Sequence, residues 1–208
     1  MEGYYEELMA AYVRGRLGVD GTPEELFREA GRRELRVHRF KRTAGLPRVR
    51  RVLGLLKGLE PADLLDVGTG RGVFLWPLLD EFPDLAVTCV DLRPDRVEDL
   101  HAVSRGGVER LRAFRQDVCQ LDFPDGRFDV VTALEVLEHL QEPDRAAREA
   151  VRVARRFVLA SAPSHEDDNP EHVQLFTRES FERLFLQAGA RRVAIHYVLN
   201  HILAVVSL

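Results

Sequence analysis

Cysteine is almost missing from this 208-residue chain, which has only Cys89 and Cys119. Two thiols without C-x-x-C spacing exclude a disulfide framework and a structural zinc held through cysteine. Long apolar runs are missing too, since none approaches the roughly 18 residues of a membrane span. The opening residues, Met1-Glu2-Gly3-Tyr4-Tyr5-Glu6-Glu7, lack the basic start and apolar stretch of a secretory signal. The expectation is therefore a cytoplasmic protein with no membrane segment. Internal repeats and low-complexity tracts are absent, which excludes repeat architectures. There is no excess of positive charge: 34 acids face 30 bases for a net charge of −4. That argues against a protein that coats nucleic acid along its whole surface.

What is present is ordinary for a folded enzyme, with 45% hydrophobic and 31% charged residues. At about 150 residues per domain, the length allows one full domain with an appendage. Charge is unevenly spread. Residues 28–57 carry eleven Lys and Arg against Glu29 and Glu34, so the segment is +9 and the remainder −13. Such asymmetry fits either an anionic partner or a basic face docked on an acidic body, and docking is favoured.

The chain divides near residue 58. Residues 1–58 read as helical. Thr22-Pro23-Glu24-Glu25 is a capping box with Pro at the first helical position, and its helix is expected to run toward Thr43. After the break at Gly45-Leu46-Pro47, Val49, Val52, Leu53, Leu56 and Leu59 predict another helix ending near Gly58. From Ala62 the rhythm becomes strand, loop, helix. Strands are expected at Leu64–Val67, Ala86–Asp91, Leu111–Arg115, Phe128–Leu134, Arg156–Ala162, Arg192–Val198 and His201–Ser207. Helices fall near 73–82, 93–104 and 144–154, and one starts at Thr177. Near-continuous apolar strands alternating with helices define a doubly wound, mostly parallel α/β sheet.

Ligands of such sheets bind at the carboxyl ends of the strands. Strand one ends in Asp66-Val67-Gly68-Thr69-Gly70-Arg71-Gly72, whose glycines leave backbone bare for a ligand. The G-x-G-x-x-G dinucleotide fingerprint fails, because its sixth position is Val73. An acid, Asp66, precedes the glycines instead, which suits an ammonium better than a pyrophosphate. Asp91 ends strand two, 23 residues after Gly68, where a carboxylate can accept from both hydroxyls of a ribose. Its alternative role is to cap the Arg93-Pro94 turn. Asp117 and Val118 follow strand three, an acceptor and an apolar contact fit for adenine, or a plain turn. Ammonium, ribose and adenine without phosphate describe S-adenosylmethionine.

Leu64–Leu75, Thr88–Leu92, Arg115–Val118 and Phe128–Leu140 resemble the motifs of class I S-adenosylmethionine-dependent methyltransferases. The resemblance runs from about Ala62 to Leu208. It implies a seven-stranded sheet of order 3-2-1-4-5-7-6 with strand seven antiparallel, in a domain over 59–208; residues 1–58, the only other sizeable element, are expected to form a helical lid or cap over the face that core leaves open. Many relatives carry a Leu-x-Pro-Gly-Gly turn before strand five, where this chain has Val153-Ala154-Arg155-Arg156-Phe157. Carried over by position, Asp66 and the Gly68, Thr69, Gly70 and Gly72 backbone hold the methionine end. Asp91 and Leu92 serve the ribose, Asp117 and Val118 the adenine, and Leu134 and Glu135 lie beside the sulfonium.

A sulfonium methyl needs chiefly an aligned nucleophile, plus a base where the acceptor must lose a proton. Glu135, His139 and His172 are the catalytic candidates, with Glu138 beside them. If the segment is helical, Glu135, Glu138 and His139 share one face; His165 and His172 lie in the polar stretch 163–174. The favoured reading is methyl transfer to an O, N or C atom of a small molecule, with no metal. One rival is metal-dependent RNA ribose 2′-O-methylation, because small-RNA 3′-terminal methyltransferases share the Glu-x-x-Glu-His pattern and residues 28–57 could meet a phosphate backbone. The other rival is a non-catalytic adapter. Tyr4, Tyr5, Arg39 and Arg42 are expected to close the lid, an arginine taking the cofactor's carboxylate.

Overall fold

A computed structural model of the chain describes residues 3–165 and 168–208; two positions of the polar stretch 163–174, and Met1 and Glu2, lie outside them. Three helices open it, α1 (Glu6–Leu17), α2 (Pro23–Arg32) and α3 (Pro47–Leu59), with a 3-10 turn at His38–Phe40. Then come β1 (Asp63–Val67), α4 (Leu75–Glu81), β2 (Ala86–Asp91), α5 (Pro94–Arg105), β3 (Leu111–Arg115) and β4 (Phe128–Leu134). A 3-10 turn at Leu137–His139 leads to α6 (Pro143–Val153), β5 (Ala154–Pro163), α7 (Arg178–Gln187), β6 (Arg192–Val198) and β7 (His201–Ser207). The sheet order is β3-β2-β1-β4-β5-β7-β6, with β7 antiparallel to both neighbours, as expected.

Alternation along the strands separates two cores. Leu64, Val87, Val130 and Leu159 face a cluster that includes α1 through α5. Leu65, Val90, Val131 and Val158 face the cluster beneath α6 and α7. Residues 1–58 are thus built into the first core rather than laid over a finished domain. Met9, Val13, Phe40, Val52 and Leu56 are fully buried in it. α1 crosses α5 with backbones almost touching. A Cβ on Gly15 would collide with the Ala102 carbonyl, and one on Gly106 with the Ala11 carbonyl.

α2 has its capping box, Thr22 N–H donating to Glu25 Oε2 at 2.9 Å. It stops at Arg32, well short of Thr43. Glu34 takes a left-handed φ of 53°, and Leu35 N–H returns to the Ala30 carbonyl at 2.8 Å. The early stop lets the following turn reach inward. Phe40 wedges between Tyr12 and Trp76, at ring distances of 5.2 and 4.7 Å. Arg39 meets Asp99, which also accepts from the Tyr12 hydroxyl at 3.1 Å.

The link before strand five vanishes altogether, since α6 ends at Val153 and β5 begins at Ala154. The register shifts between Phe128 and Val130, leaving an extra residue in β5. Asp129 ties this seam, taking the Ala62 N–H at 2.8 Å and pairing with Arg155 and Arg156.

Candidate active site

β1, β4 and β5 end at one edge of the sheet, and β7, being antiparallel, begins there. A cleft of about 660 Å³, its open mouth included, lies at that edge. It is lined by Asp66 of β1 and the following Gly68, Thr69, Gly70 and Arg71, by Leu134 of β4 and the following Glu135, and by Ser161 of β5. Arg48, Val49 and Val52 of α3 close the opposite wall. Volumes of this order suit small molecules.

Asp66 shares a sheet face with Leu64 and is buried, at 4% exposure. Its Oδ1 accepts from the Thr132 hydroxyl at 2.7 Å. Burial pushes the carboxyl up to about 6, with the Thr132 and Thr69 hydroxyls pulling the other way. A buried carboxylate at the floor of a cleft is stabilised by a cationic ligand. The three glycines of the loop all have positive φ, but they serve different ends. A Cβ on Gly68 would meet Val136 at 2.5 Å, and one on Gly72 the Trp76 ring at 2.2 Å. Gly70 alone is open, with nothing nearer than 3.8 Å. Gly68 and Gly72 therefore answer to packing as well, and Gly68 and Gly70 both line the cleft.

Asp91 lies just outside the cleft lining, yet it is joined to the loop. Its Oδ2 accepts from Gly70 N–H at 2.8 Å and its Oδ1 from Arg93 N–H at 2.9 Å. The turn-capping role and the loop-facing role coexist, and each oxygen keeps a lone pair for a further donor. Asp117 is exposed and closes a turn, its Oδ1 accepting from Cys119 N–H at 2.9 Å. Val118 is half-buried, and Leu92 is 62% exposed.

The expected face shared by Glu135, Glu138 and His139 is not formed. Glu135 has a φ of 58°, which breaks the segment and sends its side chain elsewhere. Glu135 Oε1 accepts from the Ser161 hydroxyl at 2.6 Å, and Oε2 lies 3.1 Å from His201 Nε2. Glu138 and His139 instead join His172, with one ligand atom of each within 4.8 Å of the others. The His139 and His172 rings meet edge to face at 4.8 Å, and His139 Nδ1 lies 3.0 Å from the Glu171 carbonyl. Among the described residues Glu135 is not part of that group, and neither histidine lines the cleft.

The expected lid residues have other tasks. Tyr5 is 1% exposed, its hydroxyl accepting from Thr43 and Ala44 N–H at 3.3 and 3.1 Å. Tyr4 bridges to Lys41, Arg39 pairs with Asp99, and Arg42 sits over Tyr5 and 3.5 Å from Asp80. Arg48 and Arg71 take their place at the cleft, and neither forms an ion pair among the described residues. Part of the basic stretch is paired: Arg32 and Arg33 with Glu29 of the same helix, and Lys57 with Glu81.

Residues 65–157 match a family model described as a methyltransferase domain. The strand order and the acids after three successive strands, like this match, are similar to those of class I S-adenosylmethionine-dependent methyltransferases. It is 32% identical over 169 residues, 70% of its length, to a malonyl-[acyl-carrier protein] O-methyltransferase of Geobacter sulfurreducens, of which it covers 62%. It is 28% identical to an ajmaline N-methyltransferase of Rauvolfia serpentina, over 63% of this chain and 45% of that one. The chain thus spans about half to three-fifths of these curated relatives. A solved S-adenosylmethionine-dependent methyltransferase from Aquifex aeolicus shares the fold with a TM-score of 0.64 at 23% identity, over 79% of this chain and 90% of that one.

Proposed function

We propose that the chain transfers the methyl group of S-adenosylmethionine to a nucleophilic O, N or C atom of a small molecule. The observation that carries this is Asp66, a buried carboxylate that lines the cleft beside Gly68 and Gly70 of the glycine loop. Asp66 would hold the ammonium, Arg48 and Arg71 the carboxylate, Asp91 with Leu92 the ribose, and Asp117 and Val118 the adenine. Leu134 and Glu135 lie beside the transferring methyl in this reading. When bound, the cofactor supplies a methyl already activated on sulfur, which leaves the chain to orient, to exclude water and to accept a proton. Val49 and Val52 exclude water from the α3 side. Glu135 is the acceptor-facing carboxylate, because it alone of the catalytic candidates lines the cleft. Residues 1–58 act as the cap of this proposal through α3. The two free thiols fit a cytoplasmic setting. No helix among the described residues is long and apolar enough to cross a membrane.

A second reading is favoured by one observation, the convergence of Glu138, His139 and His172. With a divalent ion there, ribose 2′-O-methylation of RNA becomes feasible. Glu135 does not complete that set, and part of the basic stretch is already paired, so the small-molecule reading stands first. Labelled S-adenosylmethionine incubated with a small-molecule extract and, separately, with RNA tests both. Label in low-mass products, lost in Asp66→Asn, is the expected result. Label in RNA alone, abolished by chelator, would establish the second reading, and binding without transfer to either would leave an adapter.

A further inference from the structure

Three strand ends that are remote in sequence meet around one carboxylate. Glu135 follows β4, Ser161 lies near the end of β5, and His201 opens β7. The register pairs Leu134 with Ser161 and Pro163 with His201, so the antiparallel run of β7 is what delivers the histidine. Ser161 fixes Glu135 twice, its hydroxyl donating to Oε1 at 2.6 Å and its carbonyl accepting the Glu135 N–H at 3.0 Å. His201 approaches Oε2 at 3.1 Å. Its side chain is about a quarter exposed, and it does not line the cleft, whereas Glu135 and Ser161 do. The strained φ of 58° at Glu135 is held by this surrounding set, as expected of a side chain whose aim matters. Gly68 contributes from below, leaving room for the Val136 side chain next along.

We propose that His201 is a positioning residue that acts through Glu135, and that together with Ser161 it fits the site to an acceptor whose nucleophile bears a proton, a hydroxyl or an amine. This rests on the methyl-transfer reading above. Glu135 Oε1 already takes the Ser161 hydroxyl and Oε2 has His201 Nε2 at 3.1 Å, so each oxygen keeps a lone pair beside a fixed neighbour. An O–H or N–H can donate to it, whereas a carboxylate nucleophile brings only like charge and no proton to share. In the transfer, the acceptor atom's lone pair forms the bond to the methyl. The electron pair of the broken carbon–sulfur bond stays on sulfur, and the acceptor's proton goes to a Glu135 oxygen. His201 keeps that oxygen pointed at the proton it receives.

The test uses the full chain. S-adenosylhomocysteine is first titrated into wild type, His201→Ala, His201→Gln and Ser161→Ala, and His201→Ala is expected to bind within twofold of wild type. Labelled S-adenosylmethionine is then offered with catechol, phenethylamine or benzoate, and binding of the best acceptor to the S-adenosylhomocysteine complex is measured alongside turnover. Transfer to catechol or phenethylamine and not to benzoate is expected. With that acceptor, Glu135→Gln should lower kcat about a hundredfold, in the range of a lost proton acceptor. His201→Ala should lower kcat about tenfold at unchanged cofactor KM, His201→Gln should restore most of it through its amide donor, and His201→Ala should cost nothing more in the Glu135→Gln background. Transfer to benzoate, or to none of the three by a chain that binds S-adenosylhomocysteine, would overturn the acceptor class. Full additivity of the two substitutions, or no rescue by glutamine, would overturn the role of His201. A chain that does not bind S-adenosylhomocysteine would instead sink the methyl-transfer reading, a failure visible before any acceptor is added.

Discussion

Asp66 is the residue at which burial and ligand chemistry meet. Its folded carboxyl is pushed up to about 6 by desolvation, above the usual value of about 3.9 in an unfolded chain. Between these values the folded chain holds a proton that the unfolded chain has released. Stability from this group therefore falls as pH rises from about 4 to 6 and stays low above that. Asp66→Asn, which keeps an acceptor for Thr132, should stabilise the unliganded chain by up to about 3 kcal/mol at pH 7.5 and by little at pH 4. Urea unfolding of both forms at the two values checks this; an equal difference at both would contradict it. Affinity for the cofactor should likewise fall as pH drops below about 6 in wild type, and not in Asp66→Asn. At Asp91 the expected loss is larger. Asp91→Ala removes two acceptor oxygens, each worth about 1.5–3 kcal/mol toward hydroxyls, and frees the Gly70 N–H. Calorimetry should show at least tenfold weaker S-adenosylhomocysteine binding, and a change within threefold would refute the ribose assignment. Both acids were legible because each ends a short apolar strand beside a turn. Arg48, Ser161 and His201 were not. Arg48 lies beside an apolar stripe; Ser161 reaches the cleft through the pairing of β4 with β5, and His201 reaches Glu135 through that of β5 with β7, which no local pattern reports.

At the scale of elements, periodicity located every strand, and the bounds of β2, β3, β4, β6 and β7 agree with the structure. The misses have physical causes. α2 ends early because Arg39 and Phe40 are needed inside the core, an override that propensity does not carry. β5 is longer than expected because a bulge absorbs the link from α6. The tight crossing of α1 and α5 was also hidden, since nothing local in the sequence sets Gly15 and Gly106 against the Ala102 and Ala11 carbonyls. That crossing makes a prediction. Gly15→Val must push the α1 backbone off Ala102 and should destabilise the chain by about 1–3 kcal/mol, the usual cost of overpacking. Urea midpoints read this directly, and an unchanged midpoint would mean that α1 does not pack as described.

Across the whole molecule, the charge asymmetry resolves in part into docking. Arg39, Arg42 and Lys57 meet Asp99, Asp80 and Glu81 of the α/β body, which binds residues 1–58 into the fold electrostatically as well as through the shared core. The cleft is therefore assembled from both ends of the chain. α3 supplies one wall, the strand ends supply the other, and β7 supplies the histidine behind Glu135. Every element of that assembly follows from a sheet whose strand order brings three acids, the glycine loop and one closing helix to the same edge. Isothermal titration of S-adenosylhomocysteine into the intact chain tests it most directly. The account predicts one site per chain with a dissociation constant of about 10 μM or tighter, weakened at least tenfold by Arg48→Ala with the fold unchanged. No measurable heat at tenfold higher ligand, or binding indifferent to Asp66, Asp91 and Arg48 alike, would contradict it.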